Sequence, residues 1–191
     1  DTFGAVQQQV DTLRAAGIIK DSSELWWDIR PSSRFPTLEM RVTDVCTRLD
    51  DAVTVAALYL CLLRMLWRLR RGNAAWRPYR NLLIEENRWR AQRYGFDEGL
   101  VDFGRGDIRP FADLLEELID MLRPDAEHFG CVAEVEAARA LLARGTSAHR
   151  QVAAYRQALD NGADEAEALR RVVMWLIDET QAGVDCDQSD S

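Results

Sequence analysis

The sequence has 191 residues, of which 47% are hydrophobic, so it can form one globular domain with a sizeable core and is not a disordered chain. Its net charge of −8, from 24 Lys+Arg and 32 Asp+Glu, argues against nucleic acid as the main partner, because a phosphate backbone attracts a basic surface. Lys20 is the only lysine, so arginine carries nearly all of the positive charge. The four cysteines form no CxxC pair and do not cluster with the two histidines, so we expect free thiols in a reducing cytoplasm and no zinc site.

The first part of the chain contains one predicted helix and two predicted strands. A helical pattern over residues 2–16 has Thr2 as its candidate N-cap and Gly17 as its stop. Residues 24–31 are interpreted as a short strand, and alternating apolar and polar residues predict a second strand over 37–43. The two strands can pair as a hairpin, which is marginal alone. We therefore expect helices to cover its open edge or further strands to complete a sheet.

Two long helices are predicted next. The first spans residues 50–71, with acids at its start and arginines at its end that suit the helix dipole. Its apolar run Ala52–Leu63 is shorter than the roughly 20 residues of a membrane span, and Arg64 interrupts it, which favours a helix of the core. The second spans residues 76–94, with Pro78 in its first turn.

The remaining chain is predicted as a β-hairpin followed by helices. Residues 99–111 are interpreted as a hairpin that turns at Gly104–Gly106. The polar tail 181–191 is predicted to be disordered. Helices far outnumber strands, so the predicted fold class is α+β, mostly helical with a few antiparallel strands. The chain begins at Asp1 inside a helical pattern, and we expect it to be part of a longer protein. The last helices are predicted at about 111–122, 132–144, 147–160 and 164–180.

The strand over residues 37–43 places opposite charges on one face. Because alternate side chains of a strand share a face, Glu39 and Arg41 point the same way, roughly 7 Å apart. One interpretation is a solvated strand face with a local ion pair. The other is a site that handles opposite charges, with a carboxylate for a metal ion and a guanidinium for a phosphate.

Three segments of the chain resemble signatures of a known family. The segment "WWDIRPSSRFPTLEMRVTD", residues 26–44, is similar to the W-D-I/V-R-P…T-x-E-x-R motif of the bacterial carboxylate–amine ligases, the second glutamate–cysteine ligase family. The segments "EENRWRAQRYG" at 85–95 and "ARGTSAHRQ" at 143–151 resemble that family's next two signatures. Order and spacing fit as well, so residues 1–191 resemble the C-terminal part of a single ligase catalytic domain.

The resemblance implies a glutamine-synthetase-like catalytic sheet, with helices on one side and ATP and Mg²⁺ (or Mn²⁺) on its polar face. In such enzymes the E-x-R strand supplies a metal-ligand carboxylate and a phosphate-binding arginine. These roles fall on Glu39 as the metal ligand and on Arg41 as the catalytic residue. ATP would phosphorylate a substrate carboxylate to an acyl phosphate, which an amine then attacks; cationic donors would stabilise the transferred phosphoryl group.

Three more residues are candidates for substrate or nucleotide binding. Arg30 could approach the Glu39 face if the two strands pair, or it could make a structural contact with Asp28. Asn87 and Arg93 lie in the second signature, which the resemblance places beside the active site. The alternative for this helix, where Asn87, Arg90 and Tyr94 share a face, is a solvated surface held by local ion pairs.

Other conspicuous residues are interpreted as structural. Trp26 and Trp27 are expected to pack rather than to stack on a base. Thr146 or Ser147 is expected to cap the helix that follows Gly145, with anion binding at that helix start as the alternative. His149, which follows on the same helix, is interpreted as an ordinary helix-surface residue.

The function implied by the resemblance is ATP-dependent ligation of the γ-carboxyl group of glutamate to an amine such as that of cysteine. This reaction belongs to glutathione biosynthesis in the cytoplasm, with small-molecule partners and no nucleic acid or membrane. A ligase of the same fold that uses another amine and a non-catalytic helical interaction module are the alternatives, and homo-oligomerisation is left open. Residues 1–191 alone offer one good metal ligand, so we expect them to bind ATP weakly and to be inactive.

Overall fold

The computed structural model describes residues 3–32, 34–76, 78–182 and 184. The chain divides into two compact units, Asp1–Val45 and Cys46–Ser191. Two predictions fall on residues outside the described part of the chain: the N-cap at Thr2, and most of the disordered tail at 181–191.

The first unit combines one helix with a two-stranded antiparallel sheet. Helix α1 is Phe3–Ala15, close to the predicted bounds, and a 3-10 turn follows at Ser22–Glu24. Strand β1 is Ile29–Pro31 and strand β2 is Leu38–Met40, so the predicted hairpin pairing is confirmed. The register pairs Ile29 with Met40, Arg30 with Glu39 and Pro31 with Leu38.

Both strands of this hairpin are shorter than predicted. The Asp21 carboxylate accepts a hydrogen bond from the Ser23 N–H at 2.7 Å, and this cap winds residues 22–24 into the 3-10 turn instead of a strand. The Arg41 N–H donates to the Asp28 carbonyl at 2.7 Å, one bond beyond β2. Regular pairing ends there, so residues 41–43 lie outside the strand.

The second unit is mainly helical. Its strands form a separate antiparallel hairpin that turns over residues 103–106, as the glycines there predict. Among the described residues the elements are α2 (Leu49–Arg71), α3 (Asn81–Tyr94), β3 (Leu100–Asp102), β4 (Asp107–Arg109), α4 (Phe111–Phe129), α5 (Val132–Glu136), α6 (Ala138–Arg144), α7 (Ser147–Asp160) and α8 (Glu165–Gln181). The predicted α+β class, mostly helical with a few antiparallel strands, is confirmed.

The core of the second unit lies between α2, α4, α5 and α6. Buried residues recur at i, i+4 and i+8 on α2 and at matching helical spacing on α4, so two apolar stripes face each other. Burial of a side chain such as Ile119 or Leu122 contributes about 1.5–3 kcal/mol to folding. The core cluster consists of Ala57, Cys61, Met65, Leu115, Ile119, Leu122, Ala126, Val135 and Ala138.

Helix α2 is also long and apolar enough to cross a membrane by length and composition alone. The core helix of a globular protein meets the same criterion, so this is weak evidence for a span. One face of α2, with Ala57, Cys61 and Met65, packs in the core as predicted for this helix.

The helix predicted over 76–94 begins five residues later, at Asn81. Pro78 therefore lies before the helix and not in its first turn. The Tyr79 ring instead contacts the Phe103 ring in the β3–β4 turn, with centroids 4.9 Å apart. Arg80, directly before the helix, has an extended backbone with φ −70° and ψ 139°.

Helix α4 runs seven residues beyond its predicted end at 122 and passes through Pro124. Proline removes one backbone hydrogen bond, which costs about 3 kcal/mol in a helix interior. The residues on both sides of it, Leu122, Asp125 and Ala126, are buried, and this packing outweighs the local cost. The helix predicted over 132–144 is divided at Ala137 into α5 and α6.

A buried carboxylate joins α4 to α2. The Asp125 side chain has no exposed surface, and it accepts hydrogen bonds from Arg64 Nη1 at 2.5 Å and Arg68 Nη2 at 2.9 Å. Burial acts to raise the pKa of the Asp125 carboxyl, but the hydrogen bonds from Arg68 and Arg64 outweigh burial and hold the pKa below its ordinary value. The carboxylate is therefore charged at neutral pH.

Asp125→Asn should destabilise the protein by about 2–4 kcal/mol at neutral pH, because it leaves two guanidinium groups without their carboxylate, one of them largely solvated. Since the folded-state pKa is lowered, this contribution is complete above the unfolded pKa, near 4, and is lost as the pH falls below it. The difference in melting temperature between wild type and Asp125→Asn should be constant above about pH 5 and shrink at lower pH. The exposed residue Asp120 of α4 provides the matched control, Asp120→Asn, for which a small difference is expected. A deficit of Asp125→Asn that stays constant down to pH 3 would contradict this assignment.

Candidate functional site

The residues predicted as metal ligand and phosphate-binding group lie together in the first unit. We call Arg30, Glu39 and Arg41 the strand-pair cluster. Arg30 Nη2 lies 2.9 Å from Glu39 Oε2, and Arg30 Nε donates to the same oxygen at 2.9 Å. Arg41 Nη1 lies 3.8 Å from Glu39 Oε2. The cluster follows from the register, because Arg30 and Glu39 are directly opposite and Arg41 shares the face of Glu39.

Arg30 is the fixed member of the cluster. Its side chain is buried, and its Nη1 donates to the carbonyls of Ser22, Ser23 and Leu25 at 3.2, 2.5 and 3.1 Å. With Nε and Nη2 on Glu39, every nitrogen of the guanidinium is engaged. Arg30 therefore locks the 3-10 turn to both strands and sets the orientation of the Glu39 carboxylate.

Arg41 is the loosely paired member of the cluster. Its guanidinium carbon lies 4.8 Å above the ring of Trp26, and its contact with Glu39 is longer than a hydrogen bond. Trp26 is 82% exposed, so its packing is limited to contacts such as the one with Arg41. The exposed ring supports the Arg41 side chain from one side, a role that the sequence pattern does not indicate.

A cavity of about 410 Å³ lies beside the strand-pair cluster within the first unit. Its apolar lining comes from α1 and from Leu25, Trp27 and Pro31, and its charged lining includes Arg14, Asp21 and Arg30. The pKa of Asp21 is lowered, first by the side-chain hydrogen bond with Ser23, so this wall of the cavity carries a negative charge at neutral pH. A small polar molecule with an apolar part matches such a lining.

Asn87, in the second unit, holds a strand. Its Nδ2 donates to the Val101 carbonyl at 2.9 Å, and its Oδ1 accepts from the Val101 N–H at 2.8 Å. Arg90, one turn along α3, donates to the carbonyls of Gly99 and Glu98. Asn87 and Arg90 therefore lie on one face of α3, as predicted. Both polar atoms of the Asn87 amide are used to hold β3.

Arg93 is exposed at the end of α3, with its guanidinium carbon 5.8 Å from the centre of the Tyr94 ring. The structure thus brings Arg30, Glu39 and Arg41 together in the first unit. It places Asn87 and Arg93 on one helix of the second unit. Binding roles for Arg30, Asn87 and Arg93 stay predictions.

The "GTSAHRQ" segment forms a network around His149. The His149 ring stacks on Phe96 with centroids 4.6 Å apart and an angle of 15° between the planes. Its Nδ1 is 2.6 Å from Thr146 Oγ1, and its Nε2 is 3.2 Å from Asp97 Oδ2. His149 is therefore not an ordinary surface residue; it joins the start of α7 to the loop after α3.

The first residues of α7 differ from the predicted capping arrangement. Thr146 occupies the N-cap position, but its hydroxyl contacts His149 and makes no cap hydrogen bond. The Ser147 hydroxyl lies 2.6 Å from the hydroxyl of Thr47 and accepts from Gln151. The polar side chains at this helix start are used for tertiary contacts, which leaves anion binding there without support.

Ion pairs join α7 and α8 to the start of α2. Arg150 donates two hydrogen bonds to the Glu179 carboxylate, at 2.6 and 3.0 Å, and lies over the Trp175 ring. Arg48 reaches the same carboxylate at 3.5 Å. Within the described ranges no group of three His, Cys, Asp or Glu residues could hold a metal ion.

Gly95→Ala should lower the stability by about 1–3 kcal/mol. Gly95 has φ +60°, and an added Cβ would lie 3.0 Å from His149 Cε1. Gly162 also has a positive φ but has open space around it, so Gly162→Ala is the matched control for backbone strain alone. Thermal unfolding should show a larger loss for Gly95→Ala, and His149→Ala in the same chain should remove the excess. Equal losses for the two glycine variants would show that the His149 contact is unimportant.

Comparison with known proteins gives one family. A family model described as glutamate-cysteine ligase family 2 (GCS2) matches residues 2–174. A relative from Rhodospirillum rubrum is 60% identical over 186 residues, and one from Paracoccus denitrificans is 51% identical over 178 residues. A third, from Jannaschia sp., is 48% identical over 178 residues, and all three are named "Putative glutamate--cysteine ligase 2".

The matches cover most of this chain and less than half of each relative. They include 97%, 93% and 93% of the chain but 48%, 47% and 47% of the three relatives, so the chain spans about half the length of the curated relatives it matches. Because the family model extends over nearly the whole chain and agrees with these relatives, the chain belongs to glutamate–cysteine ligase family 2.

Proposed function

We propose that the protein takes part in ATP-dependent ligation of the γ-carboxyl group of glutamate to an amine, with cysteine as the amine. The observation that carries the proposal is the strand-pair cluster, which sets a carboxylate between two guanidinium groups inside the segment that matches the family. The names of the relatives support a ligase of this type. A cytoplasmic location and a place in glutathione biosynthesis are part of the same proposal.

In the proposed mechanism Arg41 binds the phosphoryl group that passes from ATP to the glutamate carboxylate. Its ion pair with Glu39 is longer than a hydrogen bond, whereas every guanidinium nitrogen of Arg30 is already hydrogen-bonded or paired. A guanidinium can bind two phosphoryl oxygens at once and stabilise the charge that develops on them during transfer. The resulting acyl phosphate is then attacked by the amine. Arg30 acts as the residue that positions Glu39.

Mg²⁺ or Mn²⁺ is proposed to accompany ATP, with Glu39 as one of its ligands. Arg30 and Arg41 both contact Oε2 of the Glu39 carboxylate, so we propose that Oε1 is the atom that binds the cation. The fit is partial, because the described residues bring no group of three ligands together, whereas Mg²⁺ takes six. When bound, the ion would reduce the negative charge of the phosphates.

Nucleotide binding is also proposed for the second unit. Of its two candidates, Arg93 has an exposed guanidinium that could bind a phosphate, and Asn87 would act by holding β3. Since the chain spans about half of its relatives and offers one metal ligand in the cluster, we propose that residues 1–191 alone lack ligase activity. A ligase using another amine would share this site, and only assays with different amines distinguish the two.

Arg41→Lys should reduce ligase turnover by roughly 10²-fold, because lysine keeps the charge but loses the two-pronged contact with a phosphoryl group. The melting temperature should change little, since a partly solvated guanidinium with one long ion pair contributes little to folding. All turnover measurements use the complete ligase, because residues 1–191 alone are proposed to be inactive. Turnover and melting temperature are measured for Arg41→Lys and Arg41→Met. Arg34→Lys, at an exposed position of the same unit, is the control and should retain turnover. A fall in melting temperature that accounts for all lost activity would contradict the phosphate-binding role.

Glu39→Gln should weaken the use of Mg²⁺–ATP strongly while keeping the amide close to Arg30. The loss of such a charge contact costs about 2.7–4 kcal/mol of transition-state stabilisation. Steady-state assays over a range of Mg²⁺ concentrations should show a higher Mg²⁺ requirement. Kinetics identical to wild type at every Mg²⁺ concentration would reduce Glu39 to a structural partner of Arg30. If Arg41→Met also kept the turnover of the complete enzyme, residues 1–191 would be better described as a non-catalytic module of it.

A further inference from the structure

Two cysteines from distant parts of the sequence meet in the second unit. Cys61 Sγ and Cys131 Sγ lie 3.7 Å apart, although 70 positions separate them in the chain. Cys61 is completely buried on the core face of α2, and Cys131 is partly exposed just before α5. Cys131 is therefore the more exposed residue of the pair.

The surroundings give the two thiols different reactivity. Burial, together with the hydrogen bond to Cys131, raises the pKa of the Cys61 thiol to about 12. Cys61 therefore stays protonated at neutral pH and is a poor first nucleophile, because the thiolate is the reactive form. Cys131 is the more accessible sulfur, so it is the one that meets an oxidant first.

The geometry needs only a small change for a covalent bond. A disulfide has an S–S distance of about 2.05 Å, so the two sulfurs would have to approach by roughly 1.7 Å. Cys131 lies at the corner between α4 and α5, directly after Gly130, and outside both helices. A side chain at such a corner can shift without breaking the hydrogen-bond ladder of a helix.

We propose that Cys61 and Cys131 form a reversible disulfide when the protein meets a hydroperoxide. The Cys131 thiolate attacks one peroxide oxygen, the O–O bond breaks, and the leaving hydroxide takes up a proton, which leaves Cys131 as a sulfenic acid. The Cys61 sulfur then attacks the Cys131 sulfur, the S–O bond breaks, and water leaves with the Cys61 proton. Two thiols are oxidised, and one hydroperoxide is reduced to two waters when it is hydrogen peroxide.

The cross-link would fix α2 to the corner between α4 and α5. It closes a loop of about 70 residues, and a cross-link over so long a loop restricts the unfolded chain strongly. The same segment contains Asp125 and its two arginines, so the disulfide would reinforce the helix pair that carries the core. A thiol reductant would reverse it.

The test exposes the folded wild-type protein to hydrogen peroxide and then blocks free thiols with one alkylating reagent. After reduction, a second reagent labels the cysteines that had been oxidised, and peptide mass spectrometry identifies them. We expect Cys61 and Cys131 to carry the second label together, with a cross-linked peptide pair before reduction. The melting temperature should rise by about 5 °C or more and return after reduction. Oxidation of Cys131 to sulfinic acid without a cross-link would overturn the proposal.

Two variants separate this pair from other thiols. Cys131→Ser changes the partly exposed partner and should abolish the cross-link and the peroxide-induced rise in melting temperature. Cys46→Ser is the matched control at another partly buried cysteine, and it should leave both unchanged. If Cys131→Ser were too unstable to purify, the labelling of the wild type would still decide. A cross-link that persists without Cys131, or that requires Cys46, would also overturn the proposal.

Discussion

The second unit depends on a carboxylate that has no contact with solvent. Asp125 on α4 is paired with Arg64 and Arg68 on α2, which are one helical turn apart. Apolar stripes make two helices associate but allow several registers, because Leu, Ile and Ala side chains are adaptable in packing. An unpaired buried charge costs several kcal/mol, so a packing arrangement that delivers both arginines to Asp125 is favoured over one that leaves the carboxylate unpaired.

The first unit is also organised around one buried charged group, here a cation instead of a carboxylate. A buried guanidinium, that of Arg30, takes four acceptors from a turn and a neighbouring strand. Glu39 is thereby held in place, whereas the contact between Arg41 and Glu39 is longer. A site in which one member is locked suits charged substrates, because the ordering of the locked group is completed during folding and does not oppose binding.

Local signals in the sequence predicted much of this fold. Gly145 and Gly162 bound α7 as predicted, and the glycines at 104–106 mark the turn of the second hairpin. The pairing of Arg30 with Glu39 followed from two short strands, as did the shared face of Glu39 and Arg41.

The features that sequence reasoning missed depend on partners far away in the chain. Helix α4 continues through Pro124 because the residues around it are buried against α2. Tyr79, before α3, meets Phe103 in the β3–β4 turn, and His149 contacts Phe96 and Asp97. The exposed position of Trp26 beside Arg41 likewise arises only when the hairpin has formed. Periodicity and capping describe neighbours within a turn or two and contain no information about such contacts.

The near absence of lysine has a consequence for how the protein can be modified. The cation of the ion pairs at Asp125, Glu39 and Glu179 is in each case a guanidinium. Acetylation and other amine-directed acylation act on lysine and cannot reach these contacts. Guanidinium groups also stay protonated far into the alkaline range, so the network loses no cation where lysines would begin to lose their charge. Lys20 is the one side-chain amine of these 191 residues that is open to enzymatic acylation.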